Sequence, residues 1–231
     1  MPFKILKFCY IIVAVCLIGC GEQKKNETEV NQETQSQVDA STPDDTSKII
    51  LCFGDSITAG YGLDDTNDAF PAVLQTKIDS LGLDYTVINS GLSGETTAGG
   101  RSRLSWILNQ EIDIFILELG ANDGLRGISL TETRANLQHI IDELKQRQPE
   151  TRIILAGMEL PPNMGQDYTS EFRDIYKDLA QENDLVFIPF ILKDVGGVAE
   201  LNQNDGIHPT VKGHKIVANT VWEVLEPMLT P

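Results

Sequence analysis

From Lys48 to its end the chain alternates short apolar runs with longer stretches of helical periodicity, and this alternation restricts the fold more than any other feature. Lys48 to Phe53 reads as a first strand. Phe70 to Leu81 reads as a helix: Leu74 and Ile78 recur at helical spacing, and Pro71 is acceptable in a first turn. Tyr85 to Asn89 is a second strand, and Thr96 to Asn109 is helical despite Gly99 and Gly100. Asp113 to Leu119 is a continuous apolar run, the pattern of a strand buried on both faces. In Thr131 to Arg147, Leu137, Ile140, Ile141 and Leu144 mark one helix face, and Thr131 can cap it. Arg152 to Ala156 is a fourth strand, Tyr168 to Glu182 an amphipathic helix, Leu185 to Ile188 a fifth strand, and Thr210 to Leu225 a closing helix. Strands and helices in strict alternation predict an α/β domain whose parallel sheet is covered on both faces.

That domain is expected over 48–231, a length sufficient for one sizeable core. The residues before it read differently. Lys4 and Lys7 make a positive start, and Phe8 to Ile18 is an apolar stretch too short to span a bilayer. Leu17-Ile18-Gly19-Cys20 resembles the bacterial lipoprotein lipobox. The resemblance implies a signal peptide over 1–19, cleavage before Cys20, and a lipid on Cys20 as the membrane partner. Gly21 after Cys20, rather than Asp, fits export to an outer membrane, so the expected location is the bacterial cell envelope. Gly21 to Ser47 is polar, with Val30 and Val38 nearly its only bulky apolar residues. It cannot bury enough surface to offset its ordering entropy, so 20–47 is expected to be a tether, reaching roughly 30 Å as a flexible coil. Of four cysteines, Cys9 and Cys16 leave with the leader, Cys20 carries lipid, and Cys52 is a small buried thiol in the first strand. No His/Cys cluster has metal-ligand spacing. A net charge of −16 excludes nucleic-acid phosphates as a partner.

Polar groups gather on four glycine-containing loops: 54–58, 90–95, 120–123 and 204–209. In open α/β sheets, ligands bind at the carboxyl ends of strands. Gly54 lets the chain turn, and Ser56 is then held at a strand end. A serine hydroxyl is a weak nucleophile until a base activates it. His208 can be that base, and Asp205, three residues earlier, can hold the other ring nitrogen. Gly206 permits the turn that folds the carboxylate back, and Pro209 stiffens its exit. The N–H groups of Ser56 and Gly91 and the amide of Asn122 are candidate donors to an oxyanion. Asp55 and Asp123 shape their turns, and His139 and His214 sit on helices in core or surface roles.

Gly54-Asp55-Ser56-Ile57-Thr58, Gly91 in Asn89 to Thr96, Gly120-Ala121-Asn122-Asp123 and Asp205-Gly206-Ile207-His208-Pro209 resemble the four blocks of the SGNH (GDSL) hydrolases. Phe53 to Leu63 and Asn122 to Gly127 resemble one branch still more closely. Its members are bacterial periplasmic esterases described as arylesterase, acyl-CoA thioesterase and lysophospholipase. The resemblance implies a three-layer α/β/α domain with a flavodoxin-like five-stranded sheet in the order 2-1-3-4-5. It also implies the roles given to Ser56, Gly91, Asn122, Asp205 and His208, and no metal or cofactor. Ile57 departs from the usual leucine of the first block, and a lipid anchor departs from the branch. The α/β-hydrolase elbow, Gly-x-Ser-x-Gly, is ruled out because Thr58 occupies its last position.

The leading expectation is an esterase or thioesterase acting on small acyl-ester or lipid-derived substrates. Leu125 and Ile128 after Asn122, with Met158, Leu160 and Met164 after the fourth strand, would offer a groove to an acyl chain. The alternatives are a polysaccharide O-deacetylase of the same fold and a non-catalytic binding lipoprotein. The oligomeric state is open, with a monomer favoured.

Overall fold

The computed structural model describes residues 47–229. The expected signal peptide, the lipidation site Cys20 and the tether up to residue 46 lie outside the described residues.

Five strands, β1 (Lys48–Gly54), β2 (Tyr85–Gly91), β3 (Ile114–Glu118), β4 (Arg152–Ala156) and β5 (Val186–Ile188), form one parallel sheet in the order β2-β1-β3-β4-β5. Each central strand has a neighbour on both edges and helices over both faces. That is why Ile50 to Phe53 and Ile114 to Leu117 are unbroken apolar runs with no solvent exposure.

The connections follow from handedness. The crossover from β1 to β2 moves one way across the sheet, and every later crossover moves the other way. Right-handed crossovers therefore put α2 (Phe70–Ser80) on one face and α3 (Thr97–Ile107), α5 (Leu130–Arg147) and α6 (Gln166–Asn183) on the other. The last helix, α7 (Val211–Leu225), packs against α2, while α3, α5 and α6 pack in sequence. The reversal lies between β1 and β3. Their carboxyl ends therefore bound a topological switch point, where the two connections leave in opposite directions and open a crevice.

Local chemistry explains the boundaries. Thr96 and Thr210 cap α3 and α7 by accepting from the N–H groups of Gly99 and Gly213. The helix α5 begins at Leu130, one residue before the expected start, because Leu130 is drawn into the core. Thr131 therefore lies inside the helix, and Ser129 holds the cap position. The strand β2 runs two residues past Asn89, so Ser90 and Gly91 pair with β1 rather than standing in a loop. Two short helices stand where only turns were expected: α1 (Ser56–Ala59) and α4 (Ala121–Leu125).

Candidate active site

Ser56 begins α1 immediately beyond β1. The Asp55 side chain accepts from the Ile57 N–H at 3.0 Å and caps this single turn, and Gly60, in the left-handed region, ends it. Gly54 is needed here for room rather than for a special φ, since a Cβ would collide with Thr58 and Glu118. Gly91 is needed for the same reason, because its Cα abuts the backbone of Ala59.

His208 arrives from the opposite direction, at the end of a long excursion after β5. Its Nε2 lies 2.9 Å from Ser56 Oγ, and its Nδ1 lies 2.8 Å from Asp205 Oδ2. Asp205 Oδ1 meanwhile accepts from the N–H groups of Ile207 at 2.9 Å and His208 at 3.0 Å. Gly206, at φ 73°, makes this turn possible. One carboxylate oxygen therefore builds the loop and the other faces the ring. The backbone donor of His208, its ring and the Ile207 N–H together lower the Asp205 carboxyl to about 2. Gln203 Nε2 donates to the carbonyls of Tyr61 (2.7 Å) and Pro209 (3.0 Å), tying this loop to the one after α1. The Tyr61 ring covers the His208 ring at 4.7 Å between centroids.

Beneath Ser56 the chemistry is buried. Asp55 Oδ2 accepts from Asn122 Nδ2 at 3.1 Å. Burial pushes the Asp55 carboxyl up to about 6, against the opposing pull of Ile57 N–H and Asn122. Glu118, the last residue of β3, accepts from Thr58 Oγ1 at 2.7 Å and from the Asp55 N–H at 3.2 Å. Its other oxygen is buried without a partner among the described residues. Burial first, and the Asp55 charge second, raise its pKa well above the usual carboxylate range. Glu118 lies wholly in the core and is raised by burial and by the Asp55 charge together, so of the two it is the one that holds its proton more tightly.

Asn122 and Asp123 lie in α4. Asp123 is buried and takes both the N–H and the hydroxyl of Thr97, which fixes α4 against α3. Arg103 pairs with Glu95, donates to the Ser90 carbonyl at 2.8 Å, and stacks over Phe53 at 4.0 Å, so the loop after β2 is braced from below. The Gly91 N–H is engaged by Asn89 Oδ1 at 3.0 Å and would exchange that partner to reach an oxyanion. As the first residue of α1, Ser56 has an N–H that the helix itself cannot pair.

The structure brings Ser56, Asp205, His208 and Asn122 together and leaves Gly91 alongside. It divides the expected acyl-binding residues. Leu125 is 39% exposed, and Ile128 and Met164 are half-buried. Met158 and Leu160, by contrast, are 4% and 8% exposed and belong to the core. Gly157 bonds to the backbone of Ile188 and Ile191 and keeps this segment beside the end of β5, and the bare Cα of Gly124 admits Leu160 against it. His139 is a surface residue beside Glu143, and His214 is buried, its Nδ1 accepting from the Phe70 N–H at 3.3 Å. Cys52 is buried and its thiol is pushed far above the ordinary range. Glu118, Tyr61, Gln203, Arg103 and Arg126 were not foreseen. Of these, Glu118 alone left a clear signal, as an acid inside an otherwise apolar strand.

Residues 52–216 match the GDSL-like lipase/acylhydrolase family. Esterase TesA of Pseudomonas aeruginosa is 38% identical over 184 residues, covering 79% of this chain and 90% of the relative. The "thioesterase 1/protease 1/lysophospholipase L1" of Escherichia coli is 35% identical over 181 residues, covering 78% and 84%. A crystal structure of TesA superposes with a TM-score of 0.75 at 37% identity, covering 79% of this chain and all (100%) of that one. The structure of AlinE4, an SGNH-hydrolase family esterase, gives a TM-score of 0.65 at 40% identity, covering 80% and 98%.

Proposed function

The chain belongs to the GDSL-like lipase/acylhydrolase family and is a carboxylic ester hydrolase of the esterase, thioesterase and lysophospholipase type; from that premise we propose how its residues divide the work. Ser56 Oγ attacks the acyl carbonyl carbon while His208 Nε2 takes its proton. The carbonyl oxygen becomes an oxyanion facing the amide of Asn122 and the N–H groups of Ser56 and Gly91. Collapse expels the alcohol or thiol, which leaves with the proton from His208. Water then repeats the sequence on the acyl-serine and frees the acid. Asp205 stays ionised throughout, holds the ring tautomer and stabilises the imidazolium. The observation that carries this reading is the unbroken line from Asp205 Oδ2 through His208 to Ser56 Oγ, at 2.8 and 2.9 Å.

The acyl part of the substrate is apolar. Exposed Leu125, with the uncovered parts of Ile128 and Met164, is available to meet it, at up to ~0.8 kcal/mol per buried methylene. The test is a panel of esters from acetyl to long acyl on the wild type, with Ser56→Ala as the control. kcat/KM should rise with chain length, and Ser56→Ala should retain under about a thousandth of the turnover and no fluorophosphonate labelling. Activity confined to acetylated sugars would sink the acyl-chain reading, and a labelled Ser56→Ala would sink the nucleophile.

The same proposal includes the envelope location. Leu17-Ile18-Gly19-Cys20 supports a lipid on Cys20, with the domain held at a membrane by the polar stretch that follows. Mature protein should partition with membranes and Cys20→Ser should release it or block processing. Mass spectrometry finding Cys20 unmodified would end that claim.

A further inference from the structure

The amide of Asn122 is held on both sides by groups that cannot exchange roles. Its Nδ2 donates to Asp55 Oδ2 at 3.1 Å, and its Oδ1 accepts from Arg126 Nη2 at 3.2 Å. A carboxylate only accepts and a guanidinium only donates, so a single amide orientation satisfies both. In that orientation the second Nδ2 hydrogen is left over. Arg126 lies four residues after Asn122, at the end of α4. The same Nη2 donates to the Gly94 carbonyl at 2.9 Å, in the loop that follows Gly91. One side chain thus spans the two segments that carry Gly91 and Asn122. Arg126 is exposed and makes no ion pair among the described residues, and both of these bonds are to neutral oxygens.

We infer that Arg126 is a positioning residue for the oxyanion site: it locks the Asn122 amide with a hydrogen free for the oxyanion and straps α4 to the loop after β2. The inference rests on the reading of Asn122 as an oxyanion donor. Two physical effects follow. Without Arg126 the Asp55 carboxylate still selects which end of the amide faces it, but the amide is held at one point instead of two, so the donor is less well preorganised at the moment charge develops. A positive charge at Oδ1 also polarises the amide and strengthens Nδ2–H as a donor toward negative charge. Neither effect acts on a neutral ground state as strongly as on the transition state, so the loss should fall on kcat rather than on KM.

The experiment compares Arg126→Met, Arg126→Lys, Asn122→Ala and the Arg126→Met/Asn122→Ala double variant on an uncharged aryl ester, with a thermal melt of each. A neutral substrate removes any direct attraction to the guanidinium. Arg126→Met should lower kcat about 10-fold, part of the 10²–10³ that loss of a whole donor brings, with KM and Tm unchanged. Arg126→Lys, a single-point donor, should recover part of that loss. The double variant should be no slower than Asn122→Ala, because Arg126 has nothing left to position. A KM rise at constant kcat would make Arg126 a substrate-binding group and overturn the inference. So would a full 10-fold further loss on top of Asn122→Ala. If Asn122→Ala itself kept full kcat, the oxyanion reading would be the part that failed, and the strap would fall with it.

Discussion

Two aspartates stand on opposite sides of Ser56, and the protein treats them in opposite ways. Asp205 sits on an outer loop, its side chain 40% exposed, and its carboxyl is lowered to about 2 by the hydrogen bonds of its own turn. Asp55 is buried, and its carboxyl is raised to about 6 although it too accepts a backbone N–H and a side-chain donor. The donors are similar in kind, so solvent makes the difference. Water already solvates the Asp205 charge, and the turn adds to that. For Asp55 two hydrogen bonds do not replace the water removed. The outer half of the site keeps a charge cheaply and can work by electrostatics. The inner half holds its charge against the fold's preference, and its value must lie in geometry.

Asp205→Asn tests the outer half and should have the largest effect. The new Oδ1 can still accept from Ile207 and His208, so the loop should survive. The amide nitrogen would then face His208 Nδ1, which must accept. The ring proton moves to Nε2, and Nε2 can no longer take the proton of Ser56. kcat should fall on the order of 10⁴ with Tm nearly unchanged. A fall below tenfold would mean that Asp205 only shapes the loop.

Asp55→Asn tests the inner half and should be milder, about 10- to 100-fold in kcat. The new side chain can satisfy Ile57 N–H or Asn122 Nδ2, but not both in one orientation, so either the α1 cap or the oxyanion amide loosens. Its effect on stability depends on pH in a direction opposite to that of Asp205. The folded Asp55 binds its proton more tightly than the ordinary value of 3.8. Its contribution is therefore complete below 3.8 and lost as pH rises through about 6. Asp205 contributes above 3.8 and loses that contribution as pH falls toward about 2, by an amount that solvent screening keeps small. Denaturant melts from pH 4 to 7 should show Asp55→Asn gaining on the wild type as pH rises. A difference that is constant with pH would show that burial does not set the Asp55 pKa.

The outer half was legible in the sequence and the inner half was not. Asp205, Gly206 and His208 are neighbours in the chain, so a local turn announces the pair, and Ser56 follows a strand end. The sheet was legible for a similar reason: strands buried on both faces leave unbroken apolar runs. Glu118 stood out as an acid inside one of those runs, but nothing in Asp113 to Leu119 shows that it meets Thr58 and Asp55. Arg126 stands four residues after Asn122, a contact spacing only if that stretch is helical, and its other acceptor is a backbone carbonyl that leaves no trace in the sequence. α1 and α4 are too short for a 3.6-residue period to register. Met158 and Leu160 show the limit from the other side. An apolar residue in a loop reads the same whether it faces a substrate or the core, and only the bare Cα of Gly124 decided the matter for Leu160.

The smallest expected effect probes the pair Asp55 and Glu118, and Glu118→Gln is the substitution that separates charge from shape. Glu118 Oε2 accepts from Thr58 Oγ1 and Asp55 N–H, and a glutamine oxygen can accept both. If Glu118 carries its proton at neutral pH, Gln replaces one neutral group with another. kcat should then stay within about threefold and stability within ~1 kcal/mol, the range of a substitution that leaves the bonds intact. Glu118→Ala differs because it strands a buried hydroxyl and a buried N–H, each worth ~1–3 kcal/mol when left unpaired. The decisive reading is the titration of Asp55, followed by carboxyl NMR. With a protonated Glu118, Asp55 should still titrate near 6 in the variant, because burial and not a neighbouring charge holds it there. If Glu118 is ionised instead, removing its charge lets Asp55 fall back toward 3.8. That outcome would turn the contrast between the two aspartates from one of solvent into one of neighbours.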